Sequence, residues 1–168
     1  MLGLPSHMTF LQRGWLSANH LLLLGRDETV LIDSGYVSHV DQTLGLVGHA
    51  LQGRTLNRLF NTHLHSDHCG GNAALQDRYP QLHTTIAPGL SAAVQAWDES
   101  ELTYLPTGQD CPRFRFDDLM HPGRDITLAD STWQVHAAPG HDPHSVILFQ
   151  PDHGVLVSAD ALWEDGFG

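Results

Sequence analysis

The segment His63-Leu64-His65-Ser66-Asp67-His68 puts four side chains able to bind a metal ion within six positions. It follows an apolar run over 56–60 that reads as a strand, so it occupies a strand end. Alternate side chains of an extended chain point the same way, which lets His63 and His65 converge on one point while the following turn carries Asp67 and His68 to a neighbouring one. The spacing predicts two metal positions. Zinc is held by imidazole nitrogen and carboxylate oxygen, usually four ligands to an ion, with one position left to water where the ion is catalytic. The remaining ligands must come from elsewhere. His141, in the turn Ala138-Pro139-Gly140-His141-Asp142, is expected to complete a three-histidine set with His63 and His65. Asp160, at the end of another strand, is expected to bridge both ions.

The other histidines, at positions 7, 20, 39, 49, 83, 121, 136, 144 and 153, lack ligand spacing and read as surface or core groups. Only His144 is near enough to His141 in sequence to line a pocket. Cys69, beside His68, reads as a packing residue, and Ser66 and Ser145 as turn residues.

The elements that must position these groups follow from periodicity. Short strands are expected over 10–16, 19–24 and 29–32, separated by turn residues. Val40, Leu44, Val47 and Leu51 then recur at helical steps, and the strand at 56–60 leads into the histidine segment. A helix over 72–79, a strand over 82–87 and a helix over 90–97 continue the alternation of a layered α/β sheet. After a loop-rich stretch, strands are expected over 126–128, 132–137, 145–149 and 155–157. The 161–168 stretch carries no cap or polar tail and reads as a break in a longer pattern.

Composition narrows the partners. Without lysine, and with eight basic against nineteen acidic residues, the formal charge of −11 argues against a nucleic-acid surface. The run Leu21 to Leu24 is far short of the ~20 apolar residues a membrane helix needs, so no membrane partner is expected. No linker divides the chain, and 1–168 reads as a single domain. Two cysteines 42 positions apart suggest reduced thiols in a cytoplasmic setting more than a disulfide framework.

The stretch THLHSDHCGG at 62–71 resembles the H-x-H-x-D-H signature of the metallo-β-lactamase superfamily, and the likeness extends to VLIDSG at 30–35, PGHDPHS at 139–145 and SADAL at 158–162. The resemblance implies an α/β fold, the four-layer αββα sandwich, with a dinuclear site on one edge. It assigns His63, His65 and His141 to the first metal, and Asp67, His68 and the bridging Asp160 to the second. Asp33 matches the carboxylate that supports the metal-binding loop. Members usually add a further histidine and more strands and helices after the bridging aspartate, whereas eight residues follow Asp160 here. The sandwich is thus expected to be incomplete at its carboxy-terminal end, with an apolar face around Trp133, Val135 and Leu156 left open to self-association.

The implied cofactors are two divalent ions, zinc foremost and iron as the alternative. Water on such an ion ionises near neutral pH, and the hydroxide attacks the carbonyl of a small-molecule ester, thioester or lactone, with Asp67 orienting it as the catalytic residue. An aspartate at 160, where some antibiotic-degrading relatives carry cysteine, makes the site look more like hydroxyacylglutathione hydrolase (glyoxalase II) or a lactonase. A β-lactamase, and a catalytically incompetent metal-binding or assembly module, are the alternatives.

Overall fold

The run His20-Leu21-Leu22-Leu23-Leu24 cannot turn every leucine the same way in an extended strand, and its division sets up the layers. Leu21 and Leu23 join a core of Val30, Ile32, Phe60, Trp133, Val135, Val146 and Leu148. Leu22 faces the other way, into a cluster with Leu31, Leu59, Val47, Leu51 and Leu75. One face of this strand therefore meets a second sheet and the other meets helices. The computed structural model describes residues 3–162, so the 161–168 stretch read as an interrupted pattern lies almost wholly outside the described residues.

The first sheet has six strands in sequence order: β1 (Met8–Leu11), β2 (His20–Leu24), β3 (Thr29–Ile32), β4 (Arg58–Asn61), β5 (His83–Ile86) and β6 (Asp118–Leu119). β1 to β3 pair antiparallel as a meander, and β3 to β6 run parallel. Parallel neighbours need crossovers, supplied by α1 (Val40–Ala50) between β3 and β4 and by α2 (Ser66–Cys69) and α3 (Asn72–Arg78) between β4 and β5. α4 (Ser91–Ala96) and α5 (Tyr104–Thr107) precede β6 and shelter a third cluster that includes Leu64, Cys69, Ile86, Tyr104 and Cys111. The second sheet is antiparallel, in the order β10 (Val155–Val157), β9 (Val146–Gln150), β8 (Ser131–Ala137), β7 (Asp125–Leu128). The layers are helices, sheet and sheet; no helix covers the outer face of the second sheet among the described residues.

The strand expected over 10–16 stops at Leu11, because the chain leaves the sheet and turns at Trp15 and Leu16, the latter at a positive φ of 56°. α2, α5 and β6 were not anticipated; elements of two to four residues are too short to show a period.

The expectation of an exposed apolar face fails at two of its three residues. Trp133 and Val135 are buried, at 0% and 1% exposure, because alternation along β8 turns them inward against Leu21, Leu23, Val30 and Ile32 of the first sheet. Their neighbours Thr132 and His136 are exposed on the outer face. Only Leu156, on β10, is exposed as expected, so self-association through a Trp133 and Val135 face loses its basis.

The burial of Trp133 can be measured. Trp133→Ala is expected to cost about 3–5 kcal/mol of stability in urea unfolding. A change within about 0.5 kcal/mol, the range of surface substitutions, would put the indole outside the core.

Candidate metal centre

β3 and β4 are parallel neighbours, so their carboxyl ends lie on one edge of the first sheet and deliver Asp33 and the 62–68 segment together. Asp33 is buried and adopts a left-handed φ of 60°. Its carboxylate accepts three hydrogen bonds: from the Thr62 backbone N–H at 2.9 Å, the Thr62 hydroxyl at 2.9 Å and His68 Nδ1 at 2.9 Å. A buried carboxylate is tolerated only when its oxygens are satisfied, and these donors tie β3 to the end of β4 and to α2. With Nδ1 committed to Asp33, His68 turns Nε2 toward the site. Thr62 Oγ1 also lies 3.3 Å from His63 Nδ1, which leaves His63 Nε2 facing inward.

α2 is pinned from the opposite side by glycines. A Cβ on Gly70 would stand 2.7 Å from Val37 N, and one on Gly71 would collide with the Ser34 carbonyl. The His68 carbonyl accepts from Ser34 N at 2.8 Å and Asn61 Nδ2 at 3.1 Å. The second sheet meets this edge where Val146 N donates to Thr62 O at 3.0 Å, which brings the β8–β9 turn carrying His141 over the histidine segment. A 3-10 turn after β10, Ala159–Ala161, presents Asp160.

These elements bring His63, His65 and His141 together, and likewise His63, His68 and Asp160; within each group the ligand atoms lie within 4.8 Å of one another. His65 Nδ1 is 3.1 Å from both His63 Nε2 and His141 Nε2. His65 Nδ1 therefore faces two ring nitrogens at once. Nitrogens on a tetrahedral zinc, at about 2.0–2.1 Å from the ion, stand roughly 3.3–3.4 Å apart, so this spacing fits a shared cation. Asp160 divides its oxygens: Oδ1 is 3.3 Å from His68 Nε2 and Oδ2 is 3.3 Å from His141 Nε2. Asp67 Oδ2 stands at the rim, 3.7 Å from His68 Nε2. Although carboxylates approach it at ion-pair distance, buried His68 Nε2 makes no hydrogen bond of acceptable geometry. All six residues singled out in the sequence thus border one cluster, and their donor types suit divalent zinc.

The electrostatics agree with a cation there. Burial opposes charge on His68, yet Asp33, Asp160 and Asp67 outweigh it and lift the imidazole to about 10. Positive charge at Nε2 is what these surroundings call for, whether a proton or a metal ion supplies it. Burial pushes His63 far below the ordinary histidine range, reinforced by His68, His65 and His141. Burial also lowers His65, against the pull of Asp142. Asp160 resists burial and falls below the ordinary carboxylate range because of His68, His141 and His65.

Several supporting residues were not read from the sequence. Asp142, buried directly after His141, lies 3.7 Å from His65 Nε2, on the far side of the ring from the cluster. Thr62 precedes His63 and orients it; adjacency to a candidate ligand was the available signal for both. Buried His20, taken for a surface or core group, accepts from Arg13 Nη1 at 3.1 Å, and burial with Arg13 and His68 lowers it to about 3. His20 lines a cleft of about 690 Å³ together with Asp33, Asp67, His68, Asp160, Phe10, Trp15 and Leu156. His144 does not line this cleft; it packs on Gly89 in a separate recess with Pro88, Pro122 and Pro143.

This fold and this edge of histidines and aspartates are those of a known class. The family model of the metallo-beta-lactamase superfamily matches residues 13–168, and the chain belongs to that superfamily. Among curated relatives it is 30% identical over 164 residues to a hydroxyacylglutathione hydrolase of Synechococcus sp. (strain JA-3-3Ab), a match covering 96% of this chain and 56% of that protein. It is also 30% identical over 162 residues to a hydroxyacylglutathione hydrolase of Anaeromyxobacter dehalogenans (strain 2CP-C), covering 96% and 52%. The chain therefore spans about half the length of these relatives. A solved metallo-beta-lactamase family protein from Thermus thermophilus shares the fold at a TM-score of 0.75 and 19% identity, covering 98% of this chain and 62% of that one.

Asp33→Ala leaves every candidate ligand in place but frees the rings of His63 and His68. Zinc affinity, measured by competition with a chromophoric chelator, is expected to fall about 10–100-fold. Unchanged affinity would show that Asp33 does not organise the site.

Proposed function

We propose that this chain carries the metal centre of a hydrolase that opens the carbonyl of a small-molecule thioester, ester or lactone, with His63, His65 and His141 holding one divalent ion and Asp67, His68 and Asp160 a second. Zinc is the metal that the nitrogen and oxygen donors suit best. The observation that carries the reading is the placement of Asp160, whose two oxygens are shared between a histidine of each group.

Bound divalent ions would supply Lewis acidity and lower the pKa of water so that hydrolysis proceeds near neutrality. The chain's own residues do the rest. His63 and His68, fixed through Thr62 and Asp33, keep their inward nitrogens aimed at the site, so little reorganisation is needed when substrate binds. Asp67 is about one-third exposed on the cleft side, and its backbone carbonyl is held by Ala18 N at 2.9 Å. With Oδ2 toward His68, Oδ1 orients the attacking water and takes its proton. Phe10, Trp15 and Leu156 give the cleft an apolar lining suited to an acyl chain.

Among the candidate substrates a thioester is favoured, since both curated relatives carry the name hydroxyacylglutathione hydrolase and hydroxyacylglutathione is a thioester. The free thiols Cys69 and Cys111 suit a reducing, cytoplasmic setting.

The test is turnover of a simple acyl thioester by the zinc-loaded chain. Activity is expected to disappear with a chelator, to return with zinc, and to be absent in His63→Ala. Asp67→Asn is expected to lower kcat about 10²–10⁴-fold, the usual worth of a positioned general base. Turnover that survives metal removal, or no turnover by a chain shown to hold two ions, would refute the reading.

A further inference from the structure

Behind the metal cluster, the third core cluster gathers reactive side chains that the proposed hydrolysis does not use. Cys69 closes α2, one residue past His68, and is fully buried; Cys111 follows α5 in a stretch with no helix or strand and is 6% exposed. Both are free thiols, and their sulfurs stand 3.9 Å apart. The Tyr104 hydroxyl lies 3.2 Å from Cys69 Sγ while donating to Leu64 O at 2.9 Å, so it holds the 64–69 segment and the cysteine in one arrangement. Phe114 and Leu102 belong to the same cluster and keep it apolar.

We propose that Cys69 and Cys111 are a redox modification site, closing to a reversible intramolecular disulfide when a peroxide reaches Cys111. The geometry makes Cys111 the thiol that meets oxidant, because it retains exposure and Cys69 has none. Its sulfur attacks one oxygen of hydrogen peroxide; the O–O bond breaks, Cys111 becomes a sulfenic acid, and one water leaves with the thiol proton. The Cys69 sulfur, already at contact distance, then attacks the Cys111 sulfur. The S–O bond breaks, the S–S bond forms, and a second water carries away the Cys69 proton. The two thiols have given up two electrons, and the peroxide has been reduced to two waters. A resolving thiol this close captures the sulfenic acid before further oxidation.

Closing the contact to a disulfide of about 2.05 Å requires a shift of roughly 2 Å, and the structure indicates which side yields. α2 is held by Gly70 against Val37, by Gly71 against Ser34 and by both hydrogen bonds to the His68 carbonyl. The segment around Cys111 has no regular structure, so it closes onto α2 and the metal-bearing residues stay where they are. Gln109, two residues before Cys111, already contacts Ser66 of α2. A disulfide closing a loop of this length constrains the unfolded chain, so oxidation is expected to raise the thermal midpoint by on the order of 10 °C.

The experiment treats the 168-residue chain with one equivalent of hydrogen peroxide and follows intact mass, thiol alkylation, zinc content and thermal midpoint. The expected result is a loss of about 2 Da, protection of both thiols from alkylation, reversal by dithiothreitol, a raised midpoint and unchanged zinc content. Cys111→Ser, at the less buried of the two positions, is expected to fold by circular dichroism and to show no such mass loss. Thiols that both remain alkylatable, oxygen adducts of about 32 Da, or a disulfide-linked dimer would overturn the proposal. A disulfide accompanied by loss of zinc would overturn the claim that α2 holds still.

Discussion

The buried carboxylate of Asp33 is the constraint on which the rest of this molecule depends. Placing a carboxyl group at 2% exposure is costly unless its oxygens are satisfied, and here the donors come from two other elements: Thr62 at the end of β4 and His68 on α2. The cost of burial is thereby converted into position. Once Asp33 accepts from His68 Nδ1 and from Thr62, the free nitrogens of His68 and His63 have one direction left to face. A polar layer beneath continues this fixation, with Ser34 donating to Asn72 at 2.6 Å and Asn72 donating to Asn61 at 2.7 Å. Two consecutive glycines let α2 approach the 34–37 backbone closely enough for those bonds to form.

Around this fixed edge, the two sheets divide the work. The parallel half of the first sheet supplies the rigid ring of His63, His65 and His68, while turns of the second sheet bring His141 and Asp160 from far away in sequence. The core between the sheets, with Trp133 and Val135 facing Leu21, Leu23 and Ile32, sets the distance between those two contributions. Packing remote from any ligand therefore governs whether the nitrogens of His65 and His141 reach the 3.1 Å separation.

Much of this was legible in the sequence, and the reasons are physical. Local groups were readable because strand alternation and a following turn dictate where His63, His65, Asp67 and His68 point. β3 and β10 fall where turn-bounded apolar runs suggested, and β8 and α3, which are long enough to show a period, fall within a residue. The partners of Asp33 were less visible: a hydrogen bond from Thr62 depends on parallel pairing of β3 with β4, which no local pattern encodes. The same limit explains Trp133 and Val135. Alternation shows that they share a face, but whether another sheet covers that face is a property of the whole chain. His20 is buried on β2 under Arg13 and Gly35, contacts with other parts of the chain that no local pattern announces.

The central claim is that these side chains, gathered around Asp33, exist to hold a pair of cations. Anomalous diffraction at the zinc absorption edge, on crystals of the chain grown with zinc, tests it directly. The account predicts two peaks within one cluster, one among His63, His65 and His141 and the other beside His68, Asp67 and Asp160. Zinc found only elsewhere on the surface, with the cluster free of anomalous signal, would contradict it.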